Sequence, residues 1–574
     1  DLFGDESLQV GQTYGGIAVD HFLKEDYKSA IKYYEESLRI KKKFLRTEHP
    51  EIAGAYFNLG MVYNRIQNNE RALSHYHVAL DKYQKAYNGN HIDIAKTFDN
   101  IGRVFLEENQ PDSALNYYQK GLAVWTQLIG KKHYYMGFAY RNLGDVFLNK
   151  KKYDDALANY NRSLNINLGN FGLNHPQTAE SYQRLGALYY EWGNKAAALK
   201  NYQLSIQAVC PDFNDDNISS NPSLKRVLDD NFLLRGLAAK AKILSQSAET
   251  LEPAGETYSV CADVIERIKR NFKTEDSKID YGEQVLKIYE NGIAVNYRLY
   301  QHSHSERFLQ EAFRLIEKSK SYALFEALAD SKAKLFSGVP DSLLEYERKL
   351  KTNIANYQKR IYQEEQKGRQ KDSAIVDQYT RKIFGLERQY DDYVVHLKQK
   401  YPAYYKIKFE SSPVSLYIIQ SNIDHETMVA DYFFGQDSLY MISIVKDTTQ
   451  FRSIGVSAPI EDKVIKMKSA IAEKDKTNYM ALAYELYRAL LIPELTDNAG
   501  RKKLIIIPDG TLNYLPFEAL LTLAQTGEPD YSDLPYLVKN YQVSYGISAG
   551  LLFDRIAKST PLPADGVGFS PVKF

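Results

Sequence analysis

Apolar and small residues recur along the first 210 positions at helical spacing. Tyr56, Gly60 and Tyr63 stand at i, i+4 and i+7, as do Phe98, Gly102 and Phe105, while Ala72, Tyr76 and Leu80 stand at i, i+4 and i+8. Each set lies on one helix face, and the two sets alternate, so the pattern predicts helix pairs. The pairs repeat without a slip: Gly60, Gly102, Gly144 and Gly186 are 42 residues apart, and so are Ala72, Ala114, Ala156 and Ala198, and Tyr76, Tyr118, Tyr160 and Tyr202. Ala30 and Tyr34 extend two of these columns backwards and place a fifth unit from near residue 13. Register ends at Cys210. The polar, turn-rich stretch 211–222 reads as an insertion loop, and helical spacing resumes with Leu237, Ala241 and Leu244 and again over 281–300 and 308–328. Residues 211–340 are therefore expected to be degenerate helix pairs that cap the array. Leu343, Tyr346, Leu350, Ile354, Tyr357 and Ile361, then Ile375, Tyr379, Ile383, Leu386, Tyr390, Val394 and Leu397, flank a break at 366–369. They predict an antiparallel helical hairpin over 341–401, a spacer and lever between domains. From Pro413 strands are predicted at 428–434, 439–445, 504–507 and 541–545, and another from 566, with helices at 460–473, 478–491 and 551–557, the last capped by Ser548. Strand, helix, strand on apolar runs predicts an α/β domain with a largely parallel sheet.

Tandem helix pairs of this kind cannot bury their apolar faces singly and must stack. The repeat resembles the tetratricopeptide repeat (TPR), whose usual period is about 34 residues. The eight extra residues, as in 82–90, are expected to lengthen the second helix and its loop. Similar long units occur in kinesin light chains. His49, His91, His133 and His175 share the register. Equivalent positions in stacked helices lie at least about 8–10 Å apart, too far for one zinc ion with ligands at about 2 Å. These histidines are expected to cap or pack the loops between units.

On each first helix a second stripe falls away from the packing stripe. It reads Lys96, Asn100, Arg103, Glu107 in one unit and Phe138, Asn142, Asp145, Asn149 in the next. The resemblance implies that this stripe lines a concave groove. An asparagine amide both donates and accepts. The ladder Asn58, Asn100 and Asn142, with Lys96, Arg103, Asp145 and Arg184, therefore suits an extended protein or peptide segment. The alternative is that the asparagines hold neighbouring helices or loops together.

Composition narrows the classes. The chain has 46 Tyr, an excess that a repeat using aromatics in every unit explains. Lys+Arg is 73 and Asp+Glu 72, a net +1, so no global field draws in a polyanion and no nucleic-acid partner is expected. Two cysteines, Cys210 and Cys261, leave no room for a disulfide framework or a cysteine zinc site. No apolar run approaches the roughly 18 residues of a membrane span. No phosphate loop, dinucleotide fingerprint or paired metal carboxylates occur, so no cofactor is expected. The chain starts at Asp1 and is expected to have been processed or cut, which leaves cytoplasm and periplasm both open.

Five stretches carry a second resemblance: AFRLIEKSK (312–320), YPAY (401–404), PVSL (413–416), LIIIPDGTLNYLPFEAL (504–520) and YGISA (545–549). In this order, behind these repeats, they are similar to the CHAT family, caspase-like domains that follow tetratricopeptide repeats in bacteria. The resemblance implies peptide-bond hydrolysis by a cysteine nucleophile with a histidine base, the histidine in a His-Gly motif after one late strand and the cysteine in a Ser-Ala-Cys-type motif after the next. Neither motif is present. His425 is the only histidine after Pro413, and it is not followed by glycine; Cys210 and Cys261 lie in the helical region. The departure is expected to be a truncation at Phe574, which leaves no catalytic residue in this chain. A second chain or the missing C-terminal half is then expected to cover the open sheet edge. Glu518 reads as a structural cap, with a substrate contact as the alternative. The expected fold is mainly α. A TPR solenoid (13–210) is followed by degenerate TPR-like helices and a cap (211–340), a helical hairpin (341–401) and the N-terminal part of a CHAT domain (413–574), an incomplete caspase-like α/β domain. The expected function is a partner-sensing solenoid coupled to a caspase-like cysteine protease; the rival is a non-catalytic adaptor.

Overall fold

The computed structural model describes the chain apart from residues 1–6, 24–26, 88, 272–274, 321–339, 366–372, 402–413, 498–499, 528 and 554–574. The chain divides into two units, Asp1–Ser277 and Lys278–Phe574.

In the first unit, helix pairs follow one another: α1 (Leu8–Leu23) and α2 (Tyr27–Phe44), α3 (Pro50–Arg65) and α4 (Asn69–Tyr87), α5 (Ile92–Glu107) and α6 (Pro111–Ile129), α7 (Tyr134–Asn149) and α8 (Tyr153–Phe171), α9 (Pro176–Glu191) and α10 (Lys195–Val209). The array thus begins five residues earlier than residue 13, at Leu8. First helices α3, α5, α7 and α9 have 16 residues each, and second helices α4, α6 and α8 have 19, so the long second helix absorbs much of the extended period. The glycine and tyrosine columns explain each other. A Cβ on Gly60 would lie 2.7 Å from the Tyr76 ring, on Gly102 2.9 Å from Tyr118, on Gly144 2.5 Å from Tyr160 and on Gly186 3.0 Å from Tyr202. The ring of each second helix sits against the bare backbone of the first.

The four histidines are helix N-caps. Nδ1 of His49, His91, His133 and His175 accepts the amides of Glu51, Asp93, Tyr135 and Gln177 at 3.1–3.2 Å. Each thereby satisfies a donor that the first helical turn leaves open. The turn inside each pair repeats as well. Gln67, Asn109, Lys151 and Gly193 all have positive φ, 55–86°. The amide that follows each of them bonds back to Tyr63, Phe105, Phe147 and Tyr189 at 2.8–2.9 Å, the six-to-one closure of a Schellman motif.

One more pair follows, α11 (Asp230–Leu244) and α12 (Leu251–Asn271), with the expected Leu237, Ala241 and Leu244 buried. The insertion before it is knitted in by side chains. Gln203 Nε2 donates to the carbonyls of Asp215 (2.7 Å) and Asn217 (3.0 Å). Buried Lys240 donates to Gln203 Oε1 (2.9 Å) and the Ser220 carbonyl (2.5 Å), and burial lowers its ammonium to about 8.

In the second unit α13 (Glu275–Ser303) and α14 (Glu306–Ser319) precede the hairpin α15 (Asp341–Glu365) and α16 (Ser373–Lys400). Tyr346 meets Tyr393 and Tyr357 meets Tyr379, so the hairpin is antiparallel as expected. Its break lies outside the described residues. Then come α17 (Leu416–Asn422), strands β1 (Thr427–Phe434), β2 (Ser438–Ile444) and β3 (Thr449–Val456), helices α18 (Ser457–Glu473), α19 (Lys476–Leu490) and α20 (Ile492–Asp497), strands β4 (Lys503–Ile507) and β5 (Gln542–Tyr545), and α21 (Ala549–Phe553). The expected strand from 566 and most of the helix at 551–557 lie outside the described residues.

The sheet order is β3-β2-β1-β4-β5. Here the expectation of a largely parallel sheet is corrected. β1–β4 and β4–β5 are parallel, but β1–β2 and β2–β3 are antiparallel, because β3 continues the first hairpin into a meander. Met428, Ala430, Tyr432, Leu504 and Ile506 face α18 and α19 in one core, with Val464, Met467, Met480 and Leu486 opposite them. β1 is buried along its whole length, so its other face is covered too. The cover is α13 and α14, which sequence spacing grouped with the capping helices. Tyr297 on α13 packs on Tyr440 and Phe451, ring centroids 5.5 and 5.0 Å apart.

Candidate functional site

The expected groove residues fall into two sets. On α5, Asn100 Nδ2 donates to the Lys96 carbonyl of its own helix at 2.8 Å, and its Oδ1 accepts from Arg103 at 2.5 Å. The Lys96 ammonium stands over the Tyr135 ring of the next unit. Asn58 is half-buried on α3. On α7 and α9, Asn142 Oδ1 accepts from Arg141 at 3.3 Å. Asp145 accepts from the Tyr160 hydroxyl at 2.6 Å and pairs with Arg184 at 3.4 Å. Much of the polar capacity that sequence reasoning offered to a peptide is thus engaged within the solenoid.

The neighbouring column was missed. Arg141 pairs with Glu180 of the next unit at 2.8 Å, and Glu180 lies 3.9 Å from Arg184. Asp99 Oδ2 accepts from the Trp125 indole at 2.8 Å, while Oδ1 is buried beside Gly121 without a hydrogen bond. Burial raises its carboxyl to about 7, against the pull of Trp125, Arg141 and Arg103. Burial also raises Asp145, opposed by Arg184. The legible signal was Asp99 and Arg141, opposite charges at equivalent positions of adjacent units.

In the second unit the polar groups gather near the carboxyl ends of the parallel strands, where open α/β sheets build their sites. Asp431 on β1 stands opposite Ile507 on β4 and pairs with the Lys320 ammonium, the side chains 0% and 4% exposed. After β4, Asp509 Oδ2 accepts the Phe434 amide at 2.8 Å. The next residue, Gly510, has φ 53°, and a Cβ there would strike Phe434 at 2.8 Å. Burial raises the carboxyls of both Asp431, to about 7, and Asp509. Glu518 is tied to the sheet by the Tyr545 hydroxyl, whose oxygen also accepts the Phe517 amide at 2.8 Å.

No thiol or imidazole joins this cluster among the described residues. Cys210 caps α10 in a buried position, and burial pushes its thiol up to about 12; Cys261, inside α12, is pushed higher still by burial. Neither supplies a thiolate near neutrality. His425 sits in the turn before β1, at the amino end of that strand, 3.3 Å from Asp447.

Comparison with known families agrees with this division. Residues 10–51, 51–127 and 135–209 match models of the tetratricopeptide repeat, and residues 480–567 match the CHAT domain. The chain therefore joins tetratricopeptide repeats to a CHAT domain. Among solved structures, BtubC from P. vanneervenii is 21% identical over 39% of this chain and 88% of its own, with TM-score 0.33. Nearly identical TPR-like repeats from Podosopora anserina are 15% identical over 37% of this chain and 100% of their own, with TM-score 0.33. A Rap protein complexed with competence and sporulation factor is 16% identical over 49% and 75%, with TM-score 0.33. No curated protein matches the chain. Among the described residues no helix is long and apolar enough to cross a membrane.

Proposed function

We propose that the solenoid recognises a protein partner as an extended segment along the stripe Asn58, Lys96, Asn100, Arg103, Asn142, Asp145 and Arg184, and that recognition controls a caspase-like CHAT domain of a bacterial cysteine protease. The observation that carries this reading is the succession of a TPR match and a CHAT match in one chain. The reading assigns no catalytic residue within 1–574, since both thiols are buried and held protonated. The second reading is an adaptor whose CHAT domain only docks.

Peptides selected by the full chain from a random displayed library test the groove. Asn100→Ala and Asn142→Ala are each expected to weaken a selected peptide by about 1 kcal/mol with the melting temperature held. A lowered melting temperature with intact binding would make the asparagines structural. Incubated with a broad peptide library, the 574-residue chain is expected to cleave nothing. Thiol-protease activity surviving Cys210→Ala and Cys261→Ala together would mean that the chemistry has been misplaced.

A further inference from the structure

Four charged side chains on or at the end of α13 and α14 reach three separate places at one end of the sheet, Lys287 pairing both with Glu290 at 2.9 Å and with Asp437 of the β1–β2 turn. Glu290, 2% exposed, sets Oε1 against the amides of Asp437 at 2.9 Å and Ser438 at 2.7 Å, in the turn from β1 to β2. Glu317 straddles the start of α21, with Oε1 on the Ala549 amide at 3.1 Å and Oε2 on the Gly550 amide at 2.7 Å. Lys320, the C-cap of α14, holds Asp431 inside β1. The turn follows the carboxyl end of β1, and α21 follows that of β5. One pair of helices therefore grips the carboxyl ends of strands 111 to 233 residues further along the chain.

We propose that α13 and α14 form a detachable arm of the α/β unit, docked by these three anchors, and that docking sets the strand ends around which a CHAT site is built. The functional half of this statement rests on the regulated-enzyme reading above; the docking itself does not.

The chemistry of the anchors gives the arm two states. Taking away one partner of a buried charge is far more unfavourable than losing a neutral contact. A half-slid arm would leave Glu290 without its two backbone amides and Asp431 buried without its ammonium. The contacts are therefore all made, or all released with their charges hydrated, as bistable interfaces are. The turn is also shaped around the arm. A Cβ on Gly435 would lie 2.7 Å from the Glu290 carboxylate, so bare backbone is needed where that side chain seats. The cluster under α14 is overloaded with acid, since Asp431, Glu317 and Asp509 all act on one ammonium. Seating Lys320 is what makes that crowding tolerable.

Position along the chain suits a relay. The division between the two units falls inside α13. A change passed along the backbone from the repeats therefore meets this arm before it meets the hairpin α15–α16, which sequence spacing offered as the lever.

Amide-resolved hydrogen exchange on the full chain tests the arm. In Lys320→Met, the amides of Asp437, Ser438, Ala549 and Gly550 are expected to exchange at least about tenfold faster. They should do so by a common factor, with the amides of β4 and of the solenoid unchanged. Unchanged exchange at those four amides would overturn the proposal. If Lys320→Met instead loses protection throughout the unit, the decision passes to Gly435→Ala, which moves Glu290 by one methyl and leaves every charge in place. Faster exchange at Ala549 and Gly550, which Glu317 holds, is then expected; no change there would mean independent anchors and no arm. Neither readout needs a substrate or a partner, so a chain silent in the protease assay leaves this test intact.

Discussion

The two units hold themselves together over different distances along the chain. In the solenoid, Gly102 meets Tyr118 in its own pair, and Arg141 reaches Glu180 in the next. In the α/β unit, Lys320 reaches Asp431, Glu290 reaches Ser438 and Glu317 reaches Gly550, separations of 111, 148 and 233 residues. A repeat array depends on neighbour contacts, so damage stays local and the period shows in the sequence. A sheet whose faces are covered by helices from far upstream has no period, and damage at one anchor spreads.

The largest effect should come from breaking a long-range anchor. Asp431→Ala leaves the Lys320 ammonium buried without its counter-ion, and about 3–5 kcal/mol of stability in this unit is expected to go. Replacing both partners, Lys320→Met with Asp431→Leu, should recover only part of it, because the apolar pair needs no ion but Glu317 and Asp509 lose the ammonium they share. Both tryptophans, Trp125 and Trp192, lie in the solenoid. Tryptophan fluorescence during urea unfolding should therefore be unmoved by Asp431→Ala, while exchange at the Asp437, Ser438, Ala549 and Gly550 amides rises. A matching shift of both signals would show that the two units unfold as one.

The local counterpart is smaller. Gly102→Ala forces a methyl to 2.9 Å from the Tyr118 ring. Overpacking of that kind costs about 1–3 kcal/mol, and Trp125, on the same helix as Tyr118, should report it. Gly169 is the control, being helical and exposed with nothing within 4 Å of an added Cβ. Gly169→Ala should stabilise by roughly 0.5–1 kcal/mol. The same substitution with opposite signs in one solenoid would show that the glycine column is a packing device. Losses at both sites would remove that explanation.

The difference in range also decides what sequence reading could reach. The glycine, alanine, tyrosine and histidine columns were legible because four units repeat them, and each role follows from spacing. The turn residues Gln67 and Lys151 were not, since only Gly193 and Asn109 in that column are residue types expected at positive φ. β3 escaped because 449–456 lacks a clean alternation, and Phe451 is its one buried residue. Glu290, Glu317 and Lys320 gave no local sign of burial. Each reads as an ordinary surface charge until a partner more than 100 residues away is placed against it. In the groove the stripe was found, but the ties that Asn100 and Asp145 make inside the solenoid depend on side-chain geometry that spacing does not carry.

The smallest predicted effect concerns the histidine caps, and it separates two contributions within the solenoid. His49 Nδ1 accepts the Glu51 amide, and His49→Ala should lose about 1 kcal/mol, the usual worth of an N-cap. Asparagine also accepts at this position, so His49→Asn should restore nearly all of it. At His91 the ring caps Asp93 and also stacks on Tyr87, with centroids 3.5 Å apart. His91→Asn should recover the cap and not the stack, leaving a deficit of roughly 0.5–1 kcal/mol. Urea unfolding followed by tryptophan fluorescence measures all of these. Equal rescue at both sites would mean that the Tyr87 stack contributes nothing. Failure of asparagine at both would mean that the column works through the ring, and that capping is incidental to why a histidine stands at the head of each unit.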